Sequence, residues 1–155
     1  MLRKLELKVP PVAVFLILLV AMAKSSELFP DAYLPLPKTD WVFIGCLVIA
    51  VILAFSSLYQ FRKAKTTVNP IKLHKVSQLV EHGVFSVTRN PMYLSLLTTL
   101  FGAAYWLQSW ASIAWCWVFI LYMNRFQIIP EERFLTAQYG ERYEKYKQRV
   151  KRWLL

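Results

Sequence analysis

Residues 41–61 read WVFIGCLVIAVILAFSSLYQF and contain no charged side chain. In an α-helix, which rises 1.5 Å per residue, this stretch reaches about 30 Å, the thickness of the hydrocarbon core of a bilayer. A run of this length and composition predicts a transmembrane helix, and it decides the class of fold.

Three further apolar stretches lie near residues 10–28, 91–107 and 110–129. We therefore predict a single domain, residues 1–155, of all-α integral membrane type with about four transmembrane helices. The span 91–107 is the shortest, at roughly 25 Å. Only Gln108 and Ser109 separate it from the next span, so these two helices should form a tight antiparallel hairpin. Small residues at 102–104 would let a neighbouring helix approach closely.

The charges lie outside these stretches. The chain carries a net charge of +10. Residues 1–11 contribute +2, residues 24–40 contribute −1, residues 62–91 contribute +5 and residues 125–155 contribute +4. By the positive-inside rule, a multi-pass protein with these loops has both termini and the 62–91 loop in the cytoplasm. The first stretch also resembles a secretory signal peptide, but we favour a retained span because the chain in hand includes it from Met1.

Several other classes of protein are excluded by the residue pattern. Long apolar runs and the absence of a nucleic-acid-binding module argue against a nucleic-acid partner. His74 and His82 lack metal-ligand spacing, so we predict no metal site. Cys46 and Cys116 lie inside apolar stretches and are interpreted as core residues. With four glycines and no GxGxxG motif, the chain has no Rossmann cofactor fold.

Residues 77–93, SQLVEHGVFSVTRNPMY, form the first cluster of unusual residues. Asn90 is a good helix cap and Pro91 suits the first helical position. The helix would thus open with free N–H groups and a positive dipole end, which favours a carboxylate or phosphate. On the residues alone we favour a well-capped span with no ligand, because helix caps are far commoner than anion sites.

Residues 124–153 form the second cluster. Pro130 predicts the start of a new helix with two acidic residues in its first turn. One face would be basic and would lie on an anionic membrane surface. Glu131 shares the aromatic face, whereas Glu132 points away from it. The residues on that face are Glu131, Leu135, Tyr139, Tyr143, Tyr146, Val150 and Trp153.

Glu131 is unusual because a carboxylate on a face meant for burial needs a partner. That partner could be Arg89 or Arg125 in an ion pair, or it could be a cationic or hydroxylated ligand. The composition does not separate these interpretations.

Together the two clusters resemble the isoprenylcysteine carboxyl methyltransferase and phospholipid methyltransferase superfamily of membrane enzymes. The resemblance covers roughly residues 66–153. The residues that carry it are Thr67, Pro70, Leu79, Val80, Gly83, Phe85, Arg89, Asn90, Pro91 and Tyr93, then Pro130, Glu131, Glu132, Leu135, Tyr139, Gly140, Tyr143, Tyr146, Val150, Arg152 and Trp153.

The resemblance implies an S-adenosylmethionine cofactor, held by the cytoplasmic segments 66–93 and 130–153. It implies catalytic roles for Arg89 and Glu131, with Arg89 toward the methionyl carboxylate and Glu131 toward the ribose or amino group. The implied cofactor-binding residues are Leu79, Val80, Phe85, Asn90, Pro91, Tyr93 and Glu131.

Two positions depart from the family pattern. Asn90 replaces a histidine that is frequent between the arginine and the proline. Gln127 stands where the prenylcysteine branch carries an arginine for the substrate carboxylate, and the nearest cation is Arg125. We take Gln127 and Arg125 as candidate substrate residues, and the departure argues against prenylcysteine as the acceptor.

The sequence therefore predicts an S-adenosylmethionine-dependent methyltransferase in a membrane, acting on a lipid-like acceptor that enters laterally. The acceptor atom could belong to a carboxylate, an amine or a thiol. The alternative hypothesis is a non-catalytic scaffold or sensor that binds anionic lipid through its basic C-terminal helix. The sequence does not indicate an oligomeric state.

Overall fold

The computed structural model describes residues 6–37, 40–65 and 78–154, and the regular elements in these ranges are helices. A 3-10 turn at Gly83–Ser86 precedes the third helix, and a π-helical turn at Asn124–Ile128 joins the fourth to the fifth. The α-helices are α1 (Pro11–Leu28), α2 (Asp40–Lys63), α3 (Pro91–Leu107), α4 (Trp110–Met123), α5 (Ile129–Tyr139) and α6 (Glu141–Arg149).

Within the described ranges, three helices are long and apolar enough to cross a membrane: Pro11–Leu28, Asp40–Lys63 and Trp110–Tyr139. The helical membrane character that the sequence predicts is therefore confirmed. The predicted span 91–107 forms α3, which has 17 residues. A count of four spans stays a prediction, as does the orientation of the termini.

The core is built around α3, which packs against α1, α2 and α4. Leu100 and Ala104 are fully buried there. The prediction of close approach at residues 102–104 is confirmed, because a Cβ added to Gly102 would lie 2.7 Å from the Cβ atom of Cys46 on α2.

The opposite face of α2 is apolar and exposed, and the Phe55 side chain there is 68% exposed. In a membrane this face suits contact with lipid tails.

The hairpin between α3 and α4 is as tight as expected. Gln108 adopts the left-handed conformation, and Ser109 caps the next helix by accepting from the Ser112 N–H. The segment before α2 packs against this turn through two hydrogen bonds. The Leu34 N–H donates to the Gln108 carbonyl at 2.8 Å, and the Trp110 N–H donates to the Ala32 carbonyl at 2.9 Å.

The prediction of a helix start at Pro130 is confirmed for α5, which begins at Ile129 with Pro130, Glu131 and Glu132 in its first turn. The separation of this helix from α4 is not as expected. One continuous helix runs from Trp110 to Tyr139, with Pro130 inside it and the π turn directly before it. The single helix expected over 130–153 is also interrupted. It breaks at Gly140, whose φ of +52° and ψ of −128° favour glycine, and α6 ends at Arg149.

Candidate functional site

A cavity of about 520 Å³ lies where α3 begins, between the 78–90 segment, α5, α6 and the first turn of α1. Volumes of this size are typical of small-molecule and cofactor sites. Its lining includes every residue that the family resemblance assigns to the cofactor. These residues are Leu79, Val80, Phe85, Asn90, Pro91, Tyr93 and Glu131, with Arg89 beside them.

Glu131 faces this cavity and accepts a hydrogen bond from the Tyr93 hydroxyl. Neither of the two ion pairs considered from the sequence forms. Arg89 pairs with Glu132 and Arg125 pairs with Glu6. Glu131 is therefore a partly buried carboxylate held by a neutral hydroxyl, with an oxygen available to a ligand.

Glu132 is the centre of the ion-pair network at the site, which the sequence did not predict. Its carboxylate binds Arg89 Nη2 at 2.7 Å and accepts from Arg152 Nε at 2.9 Å and Arg152 Nη2 at 2.5 Å. The side chains of Glu132 and Arg89 are only 12% and 10% exposed. This carboxylate joins the 78–90 segment to the C-terminal segment. Helical periodicity could not reveal the network, because its partners are 43 and 20 residues away.

Arg89 lines the cavity and is held by Glu132 through its Nη2 atom. Its Nε atom is buried, with almost no accessible surface, and has no partner among the described residues. A buried N–H without an acceptor is costly. Arg89 therefore brings a cationic group to the cavity, whereas its Nε atom does not reach the cavity surface.

Asn90 precedes α3 as predicted, but its side chain does not cap the helix. Its Nδ2 atom donates instead to the Arg152 carbonyl at 2.9 Å, which also accepts from the Thr88 hydroxyl at 3.0 Å. The expected cap is therefore wrong. The side chain is used to hold the C-terminal segment, and it accepts no hydrogen bond from the first turn of α3.

The helix α6 is fastened over the site from the side of the 78–90 segment. The Tyr146 hydroxyl donates to the Phe85 carbonyl at 2.6 Å, and Arg142 and Arg149 both bind Glu81, at 2.7 Å and 2.8 Å. Burial raises the pKa of the Tyr146 hydroxyl well above its usual range, so it stays a donor. Two cations of the basic face, Arg142 and Arg149, thus bind a carboxylate of the protein. This argues against the hypothesis that the basic face serves only to bind anionic lipid.

The aromatic face predicted for the C-terminal segment packs inward despite the break at Gly140. Its buried members Tyr143, Tyr146 and Val150 form a small cluster against Leu79. Thr67 and Pro70, which also carry the family resemblance, lie outside the described residues.

The two candidate substrate residues are not part of the cavity lining. Gln127 is fully buried in the π turn, and its Nε2 atom donates to the Val9 carbonyl at 2.7 Å. Arg125 binds Glu6 at 2.7 Å. Both residues contact the segment before α1.

Fold and cavity together describe a helical membrane protein with a cavity at one end of α3. Residues 41–142 match the family model described as phospholipid methyltransferase. The chain belongs to this phospholipid methyltransferase family, within the superfamily that the two sequence clusters resemble. An uncharacterized protein of Haemophilus influenzae is 49% identical over 65 residues, which are 41% of this chain and 100% of that protein. No solved structure matches the chain.

Proposed function

We propose that the protein transfers a methyl group from S-adenosylmethionine to a lipid-like acceptor in the membrane. The observation that carries the proposal is the cavity at the start of α3, where the residues implied for the cofactor meet although they come from segments about 40 residues apart in the sequence. Membership of a methyltransferase family supports the reaction class.

The residues around the cavity fit the groups of this cofactor. The guanidinium of Arg89, a residue of the cavity lining, and the start of α3, where the Asn90 side chain makes no cap, suit the methionyl carboxylate. Glu131 suits the ribose hydroxyls or the amino group. The buried side chains of Val80 and Phe85 suit the flat face of adenine.

The bound cofactor supplies an electrophilic methyl group on a sulfonium. A heteroatom of the acceptor forms the bond to the methyl carbon while the carbon–sulfur bond breaks, and its electron pair stays on sulfur. The protein's contribution is to hold the two reactants in line within a site that excludes water. An acceptor that begins protonated must lose its proton, and Glu131 can receive it. Arg89 and Arg152 both bind Glu132, so neither arginine holds the Glu131 carboxylate in its ionised form.

Binding of the product S-adenosylhomocysteine to purified protein in detergent, measured by calorimetry, tests the proposal. Glu131→Gln keeps the shape of the side chain and removes its charge, so the affinity should fall by about 10- to 100-fold. Glu27→Gln, in an exposed ion pair at the far end of α1, is the matched control and should bind like the wild type. Absence of binding to folded wild-type protein would contradict the proposal.

The acceptor is best sought directly. Wild-type protein and tritiated S-adenosylmethionine are incubated with a polar lipid extract of Gram-negative inner membranes, and the lipids are then separated. We expect label in a lipid fraction with the wild type and none with Glu131→Ala. Label in neither sample would argue against a lipid-like acceptor.

A further inference from the structure

Pro130 creates an unusual requirement in the helix that carries the acidic pair. In a regular α-helix the carbonyl of Phe126 would accept from the N–H of residue 130. Proline has no N–H, and its ring collides with that carbonyl. The helix widens into the π turn Asn124–Ile128, which relieves the collision but leaves the carbonyl without its helical donor. An unpaired carbonyl in a buried place is costly, so another donor is needed.

The segment before α1 supplies that donor. The N–H of Leu7 donates to the Phe126 carbonyl at 3.0 Å. Two residues later the Val9 carbonyl accepts from Gln127 Nε2 at 2.7 Å. Glu6 binds Arg125 at 2.7 Å and also binds Arg133. We call residues 6–9, held by these contacts, the N-terminal brace.

The brace leads directly into one wall of the cavity. Pro10, Pro11 and Val12 follow it and line the cavity together with Met92 and Leu96 of α3. This wall consists of proline rings and aliphatic side chains. None of its members is among the residues that the family resemblance assigns to the cofactor.

We propose that Gln127 is a positioning residue for the methyl acceptor. By holding the Val9 carbonyl it fixes the Pro10–Val12 wall, against which the nonpolar part of the acceptor packs. The inference rests on the proposed function and assigns one wall of the same cavity to the second substrate. It also gives a role to a buried side chain that lies outside the cavity lining.

The variant Gln127→Met keeps the length of the side chain and removes its donor. The exchange of backbone amides in residues 6–9 with deuterium, measured by mass spectrometry on the full chain, should speed up by about tenfold as the brace loosens. The affinity for S-adenosylhomocysteine should stay within about twofold. The amount of the inner-membrane lipid extract that half-saturates methyl transfer should rise by about fivefold, with the maximal rate changed less.

Gln148→Met, on the exposed face of α6, is the matched control and should change none of these quantities. Should Gln127→Met fail to fold, Glu6→Gln removes the charge that binds Arg125 and Arg133, loosens the same brace at its first residue and is expected to act in the same direction.

The possible results separate the two proposals. If deuterium exchange in residues 6–9 is unchanged in Gln127→Met, the claim that Gln127 holds the N-terminal brace is overturned. A loss of S-adenosylhomocysteine affinity by more than about fivefold would show that the wall serves the cofactor and overturns the acceptor assignment. A wild-type protein that binds no S-adenosylhomocysteine or labels no lipid contradicts the proposed function instead, while deuterium exchange still tests the brace.

Discussion

The two ends of α3 are closed by loops in different ways. At the Ser109 end, formed by residues 29–37 and the α3–α4 turn, the contacts are mostly hydrogen bonds between neutral groups, many of them backbone. At the Arg89 end, formed by the 78–90 segment, α5 and the C-terminal segment, charged side chains make the contacts. Both ends hold a loop against the helices, but only one surrounds the large cavity.

The burial of the charges distinguishes the ends further. Lys24 and Glu27, near the Ser109 end, form a pair whose side chains are 67% and 64% exposed. Arg89 and Glu132 form a pair whose side chains are 10% and 12% exposed. Burying charges is expensive even when they are paired. A fold that needs only to close a loop can do so as the Ser109 end does, so the buried charges at the Arg89 end indicate a function beyond closure.

Removing Glu132 should have the largest effect on stability. Glu132→Ala leaves Arg89 and Arg152 without their carboxylate, and an uncompensated buried charge lowers the free energy of unfolding by about 3 kcal/mol or more. Thermal unfolding in detergent measures the loss. The double variant Arg89→Leu with Glu132→Leu should be less damaged than Glu132→Ala. Equal loss in the two would mean that unpaired charge is not the cause.

The hydroxyls of two tyrosines on α3 compare the ends directly. Tyr93 donates to Glu131 at the Arg89 end, and Tyr105 donates to the Pro37 carbonyl at the Ser109 end. Tyr93→Phe removes the partner that orients Glu131, so the affinity for S-adenosylhomocysteine should fall by about tenfold. Tyr105→Phe removes a hydroxyl of the same helix and should leave this affinity unchanged. Similar losses in both variants would make the effect one of helix packing.

At the Ser109 end the hairpin and the close helix approach could be predicted from the sequence, but the packing of residues 29–37 against the α3–α4 turn could not. Span length and the two-residue connection fix the hairpin, and small side chains fix the close approach at Gly102. At the Arg89 end the residues that the family resemblance implies do lie around one cavity, but their ion-pair partners could not be predicted. The Arg89–Glu132 pair joins residues 43 apart, and no local periodicity encodes such a contact.

Two departures from expectation at this end have a common cause. Asn90 and Pro130 both have strong local preferences, for a helix cap and for a helix start. Tertiary contacts override the cap at Asn90, and at Pro130 they allow α5 to continue from α4 without a break. Asn90 binds the Arg152 carbonyl, and the Leu7 N–H takes the carbonyl that Pro130 leaves unpaired. A local preference for a helix cap or a helix start predicts the structure only where no distant segment of the chain binds the same polar group.

The break at Gly140 permits α6 to fold back over the site, and it gives the next prediction. Gly140→Ala places a side chain at a φ of +52° and a ψ of −128°, which costs about 1–3 kcal/mol although no atom lies within 4 Å of the added Cβ. Strain at this position should detach α6 before the membrane helices unfold. Proteolysis within residues 141–154 should therefore become faster. Gly45→Ala, also with nothing within 4 Å but inside a helix, is the control and should not speed proteolysis.

The smallest effect should come from the exposed pair at the Ser109 end. Lys24→Gln removes one partner of Glu27, but both side chains are mostly in water, where such pairs contribute about 0.5 kcal/mol or less. Thermal unfolding and S-adenosylhomocysteine affinity should both match the wild type. Because the two charges can be solvated separately, the loss of one leaves the other without a penalty. A large effect here would remove the contrast between the two ends, since exposed and buried charge would then matter equally.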